Sequence, residues 1–301
     1  MILKERIKPA KLELLEILNN RMVLDDENKQ DLYNLAKGYE GEVLLDTLLQ
    51  NLEIDHLLVN DLMLQVNNTT FQIDSLLITD AIYMFEVKNY EGDFYYDSNR
   101  FYTKDNFEIN NPLIQLERTE SLLRQLLQNQ GINLPIHASV IFINPEFMLY
   151  QAPANKPFIF PSQLNRLIKR LNTNPSRITN RHKALANKLI SLHQKESPYT
   201  RLPQYKYEQL QKGICCQHCY SISLDIEGRR KNCICSNCGY TEFLEHAVLR
   251  SVQEYKILFP EEKITTSGIY EWCGLVSKKT ISRILEKNYK ATGVKRWTYF
   301  E

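Results

Sequence analysis

The first 214 residues contain no cysteine, although the chain of 301 residues has seven. A secreted protein held by disulfides rarely leaves so much of itself without one, and cysteines clustered in a reducing compartment point to metal. No run of roughly 18 apolar residues occurs, so no membrane-spanning helix is expected. The start, MILKERIKPAKLELLEILNN, is charged and lacks the unbroken apolar core of a signal peptide, which points to the cytoplasm. No charge of one sign prevails, with 37 Lys and Arg against 36 Asp and Glu. Hydrophobic residues make up 43% and charged residues 24%, an ordinary soluble composition that excludes a mainly disordered chain. There is no internal repeat and no low-complexity tract, and the length predicts about two domains.

The balanced total hides an uneven distribution. Residues 1–150 hold 12 basic and 24 acidic side chains, residues 151–199 hold 9 and 1, residues 200–245 hold 6 and 5, and residues 246–301 hold 10 and 6. The basic excess therefore lies after residue 150 and in the last segment, where it bears on nucleic acid.

Apolar spacing predicts helix over the first 30 residues and a second amphipathic helix over 31–51. Strand-like runs follow at 56–64, 70–79 and 81–89, and the aromatic stretch 92–108 fits a hairpin. Residues 112–129 open with proline at the first helical position, and 136–143 read as a buried strand. Helix, three strands, helix and strand make an α/β pattern. Residues 144–161 hold four prolines and read as an ordered loop, 163–195 as helical and 196–205 as a linker.

Three residues of the strand-like runs carry chemistry. Glu86 and Lys88 are two apart and share one face, with Phe85 and Val87 on the other. A tight connection centred near Asp80 would set Asp74 across from Glu86. Directly opposed like charges are destabilising, so a cation is needed, either Lys88 or a divalent ion. Taken alone, such residues also fit a solvated strand face. The surrounding runs AIYMF and SLLI are too apolar for that, and unpaired buried charge is costly. Glu42, in GYEGE, adds a third carboxylate from the preceding helix.

The series GYEGE (38–42), QIDSLLI (72–78), FEVKNYEG (85–92) and NPLIQ (111–115) resembles the nuclease-related domain NERD over roughly residues 30–145. NERD belongs to the PD-(D/E)XK nuclease superfamily, so the resemblance implies a restriction-endonuclease-like αβββαβ core of the α/β (α+β) class. It matches Glu42, Asp74 and Glu86 to the family's acidic positions, Lys88 to its catalytic lysine and Gln115 to the glutamine of the following helix. Ile73 stands where the superfamily name has proline, a departure the NERD pattern tolerates. The implied chemistry is phosphodiester hydrolysis with Mg²⁺ or Mn²⁺ held by Asp74 and Glu86 and completed by Glu42, directly or through water. Lys88 would orient the nucleophile or stabilise developing charge, and Gln115 would orient a ligand or touch the DNA backbone.

Two C-x2-C pairs, Cys216 with Cys219 and Cys235 with Cys238, flank fifteen residues that read as a strand, a turn at Gly228 and a returning strand. This is a zinc-ribbon pattern, and four thiolates suit one structural Zn²⁺. Cys215 and Cys233 adjoin the pairs and are possible alternate ligands or a redox couple. His218 lies inside a knuckle loop. Arg229, Arg230 and Lys231 sit at the hairpin tip, either as a solvated turn or against nucleic acid. Cys273 reads as a small core residue.

The last segment predicts helices at 246–258, 266–273 and from Ser277 through KKTISRILEKN, with a possible two-stranded wing turning near Gly293. Two helices joined by a short glycine-containing turn resemble the winged helix-turn-helix class. There the last helix would enter the major groove with Lys278, Lys279, Thr280 and Arg283, while Lys295 and Arg296 would reach phosphate from the wing. A small helical module that binds another protein is the plainer alternative.

The chain thus divides into an N-terminal helical segment (1–30), a nuclease-like domain (31–195), a zinc ribbon (205–245) and a helix-turn-helix-like module (246–301). The expected function is metal-dependent cleavage of nucleic acid, with DNA favoured over RNA and the appended modules targeting the nuclease. The competing reading is a DNA-binding regulator that keeps the nuclease fold as scaffold.

Overall fold

Alternating apolar residues build the central sheet, and the helices that cover it bring their own apolar stripes. The computed structural model describes residues 1–174, 176–194, 202–226, 232–293 and 298–301. Along the chain come β1 (Ile2–Lys4), α1 (Ala10–Arg21), α2 (Asp26–Gln50), β2 (Leu57–Val66), β3 (Thr69–Ile78), β4 (Ile82–Lys88), β5 (Gly92–Asp97) and β6 (Arg100–Thr103). Next are β7 (Glu108–Ile109), α3 (Pro112–Asn129), β8 (Ile136–Phe142), β9 (Phe147–Tyr150), β10 (Phe158–Ile159), α4 (Leu164–Thr173) and α5 (Asn180–Ser191). The remainder holds β11 (Leu224–Ile226), β12 (Asn232–Cys235), β13 (Thr241–Phe243), α6 (Leu244–Leu258), α7 (Thr266–Cys273), α8 (Lys278–Asn288), β14 (Ala291–Thr292) and β15 (Tyr299–Phe300). Two units emerge, Met1–Pro9 with Tyr33–Arg201, and Ala10–Leu32 with Leu202–Glu301.

The first unit is a mixed α/β layer structure. Its main sheet has the order β1-β2-β3-β4-β8-β10, antiparallel through β2, β3 and β4 and parallel from β4 to β8. One face, with Leu76, Met84 and Phe142, packs on Leu116 and Leu123 of α3 and Leu185 of α5. The other face, with Leu77, Phe85 and Val87, packs on Leu45 and Leu49 of α2 and Leu167 of α4. A second sheet, β7-β6-β5-β9, adds Phe101 and Phe147 to the first core. Asn111 caps α3 by accepting from the Leu113 N–H at 2.9 Å, with Pro112 opening the helix.

The N-terminus differs from the helix expected over residues 1–30. Residues 2–4 form an edge strand parallel to β2, and α1 begins only after Pro9. Proline cannot donate to the helical ladder from a helix interior, and the open edge of β2 supplies strand partners instead. The 144–161 segment is likewise not all loop, since it contributes β9 and β10.

A paired irregularity shapes β2 and β3. Val59 and Leu62 face the same core although they are three apart, and so do Ile73 and Leu76. Asn60 pairs with Ser75 and Leu62 with Ile73, so both strands switch face at the same step. Asp61 absorbs the switch on β2 with φ 51°, a left-handed conformation that a short polar side chain tolerates better than most. The Ser75 hydroxyl donates to Asn60 Oδ1 at 2.7 Å inside the sheet.

The second unit holds the cysteine-bearing sheet β11-β12-β13 and the helices α1, α6, α7 and α8. Arg21, its side chain fully buried, pairs with Glu254 and donates to the carbonyls of Gln211 and Gly213. Its guanidinium also lies 4.0 Å from the centre of the Trp272 ring. Gly274 ends α7 with φ 71°, and the Ser277 hydroxyl caps α8 by accepting from the Thr280 N–H. β14 and β15 pair antiparallel beside these helices.

Candidate functional site

The ladder between β3 and β4 runs from Ile78 with Ile82 to Ser75 with Phe85 and stops there. One step further along that register come Asp74 and Glu86. With β3 turned at the irregularity, the Val87 N–H takes Asp74 Oδ2 as its acceptor at 2.8 Å, in place of a strand carbonyl. β4 aims Glu86 and Lys88 away from the core that holds Phe85 and Val87, toward α3. Lys88 Nζ donates to Glu86 Oε1 at 2.6 Å and to Gln115 Oε1 of α3 at 3.2 Å. Four of the five residues named from the sequence thus meet around the end of β4.

Glu42 reaches the same region from α2. The approach of α2 depends on Gly41, where a Cβ would lie 2.7 Å from Asn89 Cβ and 3.0 Å from Ile143. Asn89 in turn donates to the Lys37 carbonyl at 2.7 Å. Any side chain at position 41 would push α2, with Glu42, away from Asn89 at the end of β4.

Burial sets the electrostatics. Asp74 is 7% and Glu86 3% exposed. Loss of water, then the charge of Asp74, raises Glu86 to about 7 against the pull of Lys88. Loss of water and Asp74 likewise raise Glu42 to about 8 despite Arg6. Asp74 is raised by burial, opposed by the Val87 N–H. Burial works against the charge of Lys88, yet Glu86, Tyr90 and Asp74 together outweigh it and hold the ammonium above its ordinary value.

Sequence reasoning missed Arg6 and Asp46. Arg6 Nη1 donates to Glu42 Oε2 at 2.6 Å, its Nε and Nη2 grip both oxygens of Asp46 at 2.8 and 3.0 Å, and Nη2 also reaches the Asp74 carbonyl at 2.7 Å. Glu42 and Asp46, four apart on α2, share a face, a signal the sequence did carry. Arg6 is 36 residues from Glu42, and no local spacing announces it.

A second constellation lies in the other unit. The sulfur atoms of Cys216, Cys219, Cys235 and Cys238 all lie within 4.8 Å of one another. Cys216 and Cys238 are 3.7 Å apart, and Cys219 and Cys235 are 3.6 Å apart. Sulfurs about 2.3 Å from a tetrahedral Zn²⁺ stand about 3.8 Å apart, so these four could hold zinc. Hydrogen bonds from Ser221 and Asn237 lower the Cys219 thiol to about 5, toward the thiolate that a metal requires. Each knuckle closes on a left-handed residue, Tyr220 at φ 59° and Gly239 at φ 73°.

Cys215 and Cys233 stand outside this group. Burial raises the Cys215 thiol to about 11, and Cys233 Sγ lies 3.5 Å from the Glu242 carbonyl. His218 stacks on Tyr240 with ring centres 5.8 Å apart, and Cys273 is fully buried. Among the described residues, these four cysteines are the set of three or more His, Cys, Asp or Glu side chains gathered this tightly. Glu42, Asp74 and Glu86 do not converge to the same degree.

These observations meet in one comparison. Residues 37–143 match NERD, the nuclease-related domain. The NERD match takes in Glu42, Asp74, Glu86, Lys88 and Gln115, while Arg6 and all the cysteines lie outside it. No curated protein and no solved structure matches the chain.

Of the remaining predicted contacts, Lys278, Lys279 and Arg283 are exposed on α8, opposite the buried Ile281, Ile284 and Leu285. Thr280 is half-buried and engaged with Ser277. Lys295 and Arg296 of the expected wing, and Arg229, Arg230 and Lys231 of the ribbon tip, lie outside the described residues. No helix among the described residues is long and apolar enough to cross a membrane.

Proposed function

We propose that the protein is a divalent-metal-dependent nuclease that hydrolyses DNA phosphodiester bonds, with a zinc ribbon and a helix-turn-helix-like module that help place it on DNA. The observation that carries this reading is the joining of Asp74, Glu86, Lys88 and Gln115 at the end of β4, inside the NERD match. With all four ionised, the carboxylates Glu42, Asp46, Asp74 and Glu86 face two cations, Arg6 and Lys88, which leaves a formal excess of two negative charges. Neighbouring Asp61 is already paired with Lys4 at 3.8 Å. An all-oxygen set with that excess fits one Mg²⁺ or Mn²⁺, with Asp74 and Glu86 as holders and Glu42 acting through water. Such an ion supplies charge neutralisation at the phosphate and a more acidic bound water.

The chain's own groups do the rest. Lys88 keeps a protonated ammonium beside Glu86, where it can donate to the phosphate or to the attacking water. Gln115 orients Lys88 from α3 and offers its amide N–H to the DNA backbone. In the second unit, four cysteines around zinc would fix the ribbon, a structural role typical of closed four-thiolate sites. The exposed Lys278, Lys279 and Arg283 on the solvent face of α8 support its reading as a recognition helix. Phosphate contacts of this kind make affinity fall steeply with salt.

The test is cleavage of labelled single-stranded and double-stranded DNA by zinc-loaded protein, with Mg²⁺, with Mn²⁺ and with neither. Cutting that needs the added ion and is lost in Asp74→Ala is expected. Cutting that persists in Asp74→Ala would overturn the assignment of the site. DNA binding without cutting under any ion would favour the regulator reading.

A further inference from the structure

We infer that Arg6, held by Asp46, is a positioning residue of the nuclease site, which fixes the Glu42 carboxylate and the Asp74 main chain so that the site accepts a divalent cation. The inference rests on the nuclease reading above and adds two residues to it, Asp46 within the NERD match and Arg6 from outside it.

The geometry is that of a brace with three anchors. One guanidinium joins two carboxylates of α2 to the backbone of β3, through four bonds of 2.6 to 3.0 Å. The Arg6 side chain is 3% exposed, so water competes little for these bonds. The fork to Asp46 fixes the plane of the guanidinium, a task that suits arginine and not lysine. With its plane fixed, Arg6 reaches Glu42 through Oε2 only, and Oε1 remains for a water or ion. The bond to the Asp74 carbonyl holds β3 where the ladder with β4 has ended. The Asp74 carboxylate, on the same residue, points the other way to the Val87 N–H.

The segment that carries Arg6 is anchored for this purpose. β1 pairs in parallel with β2, and Lys4 donates to the carbonyls of Asn60 and Asp61 at 2.9 and 2.7 Å, at the irregularity itself. Arg6, two residues on, reaches the opposite side of the same irregularity on β3. A purely electrostatic role for Arg6 predicts the reverse of a positioning role. A positive charge beside a cation site repels the ion, so removing it should tighten binding. Lost orientation should weaken binding. Groups that orient metal ligands typically change metal affinity 10–100-fold when removed.

The experiment uses the double variant Arg6→Met plus Asp46→Leu in the full, zinc-loaded chain. It removes one positive and one negative charge together, so the formal charge of the site is unchanged. Replacing a buried ion pair by apolar residues of similar volume is often tolerated by the fold. Mn²⁺ affinity is read from the electron paramagnetic resonance of free Mn²⁺, with circular dichroism as the check on folding. At least tenfold weaker, Asp74-dependent Mn²⁺ binding is expected. Arg6→Lys, which keeps the charge and loses the fork, should also weaken binding, and it serves if the double variant does not fold. Wild-type affinity in either folded variant overturns the role of Arg6 and leaves the nuclease reading intact. Wild-type protein that binds Mn²⁺ no more tightly than Asp74→Ala overturns both.

Discussion

Glu86→Gln should make the protein more stable at pH 8 while ending its function. The carboxylate is 3% exposed and adjoins Asp74, and burial raises its pKa from 4.5 to about 7. A group whose folded pKa lies above its unfolded value stabilises the fold fully below the unfolded value. That contribution is lost as pH rises through the folded value. For Glu86 the loss runs from pH 4.5 to about 7. At roughly 1.4 kcal/mol per pH unit, ionising it in place costs about 3 kcal/mol at pH 8. Glutamine has nearly the same shape and carries no charge, so up to that amount should return. The assay is thermal unfolding of zinc-loaded protein at pH 5 and pH 8, without chelator, with and without Mg²⁺. Without Mg²⁺ the variant should exceed wild type at pH 8 and lie close to it at pH 5. Saturating Mg²⁺ should stabilise wild type at pH 8, by about 2.7 kcal/mol at a hundred times its Kd, and leave the variant unmoved. A variant less stable than wild type at pH 8 without Mg²⁺, or stabilised by Mg²⁺ as much as wild type, would refute the reasoning.

Three further predictions concern the second unit. Cys219→Ser should lower bound zinc from one per chain to well below one, as measured by atomic absorption, whereas Cys215→Ser should leave it at one; the opposite order would reassign the ligands. Arg21→Met strands Glu254 beside the Trp272 core and should cost about 3–5 kcal/mol in urea unfolding, the usual penalty for a broken buried pair; a loss below about 1 kcal/mol would show the pair to be solvated. Lys278→Glu plus Lys279→Glu should weaken DNA binding and reduce the slope of log affinity against log salt by about two, one per lost phosphate contact. An unchanged slope would remove α8 from the DNA interface.

Much of the first unit was legible in the sequence because its signals are local. Pro112 and Asn111 mark the start of α3, and the alternation in QIDSLLI and AIYMFEVK marks two adjacent strands. Centring their connection on Asp80 places Asp74 one step beyond the last ladder pair, beside Glu86, and the register of Ser75 with Phe85 follows that spacing. The nuclease-related resemblance rested on the same residues. The C-x2-C pairs were legible for a similar reason, since each knuckle is a local turn, but the choice among six cysteines needed the register of β12 and β13. It sets Cys233 against Glu242, while Cys235 lies 3.6 Å from Cys219.

Long-range features were the ones hidden. Arg6 makes its contacts across 36 to 68 residues of chain, and nothing in the helical spacing of the N-terminus sets it apart from the other basic residues there. That helical spacing also concealed β1, which forms because β2 offers it an edge. The face switch at Asp61 and Asp74 broke no composition rule, because both strands switch together and each stays apolar on both sides of the step. It is this switch that ends the ladder and gives the Asp74 carboxylate its bond to the Val87 N–H.

The most direct test of the central claim measures binding and cutting in the same sample. Wild-type protein and Asp74→Asn, each in excess over one labelled DNA in Mg²⁺, are followed for bound fraction and for product. The account predicts equal bound fractions, with product formed by wild type and none by Asp74→Asn. Equal product from the two proteins would contradict it.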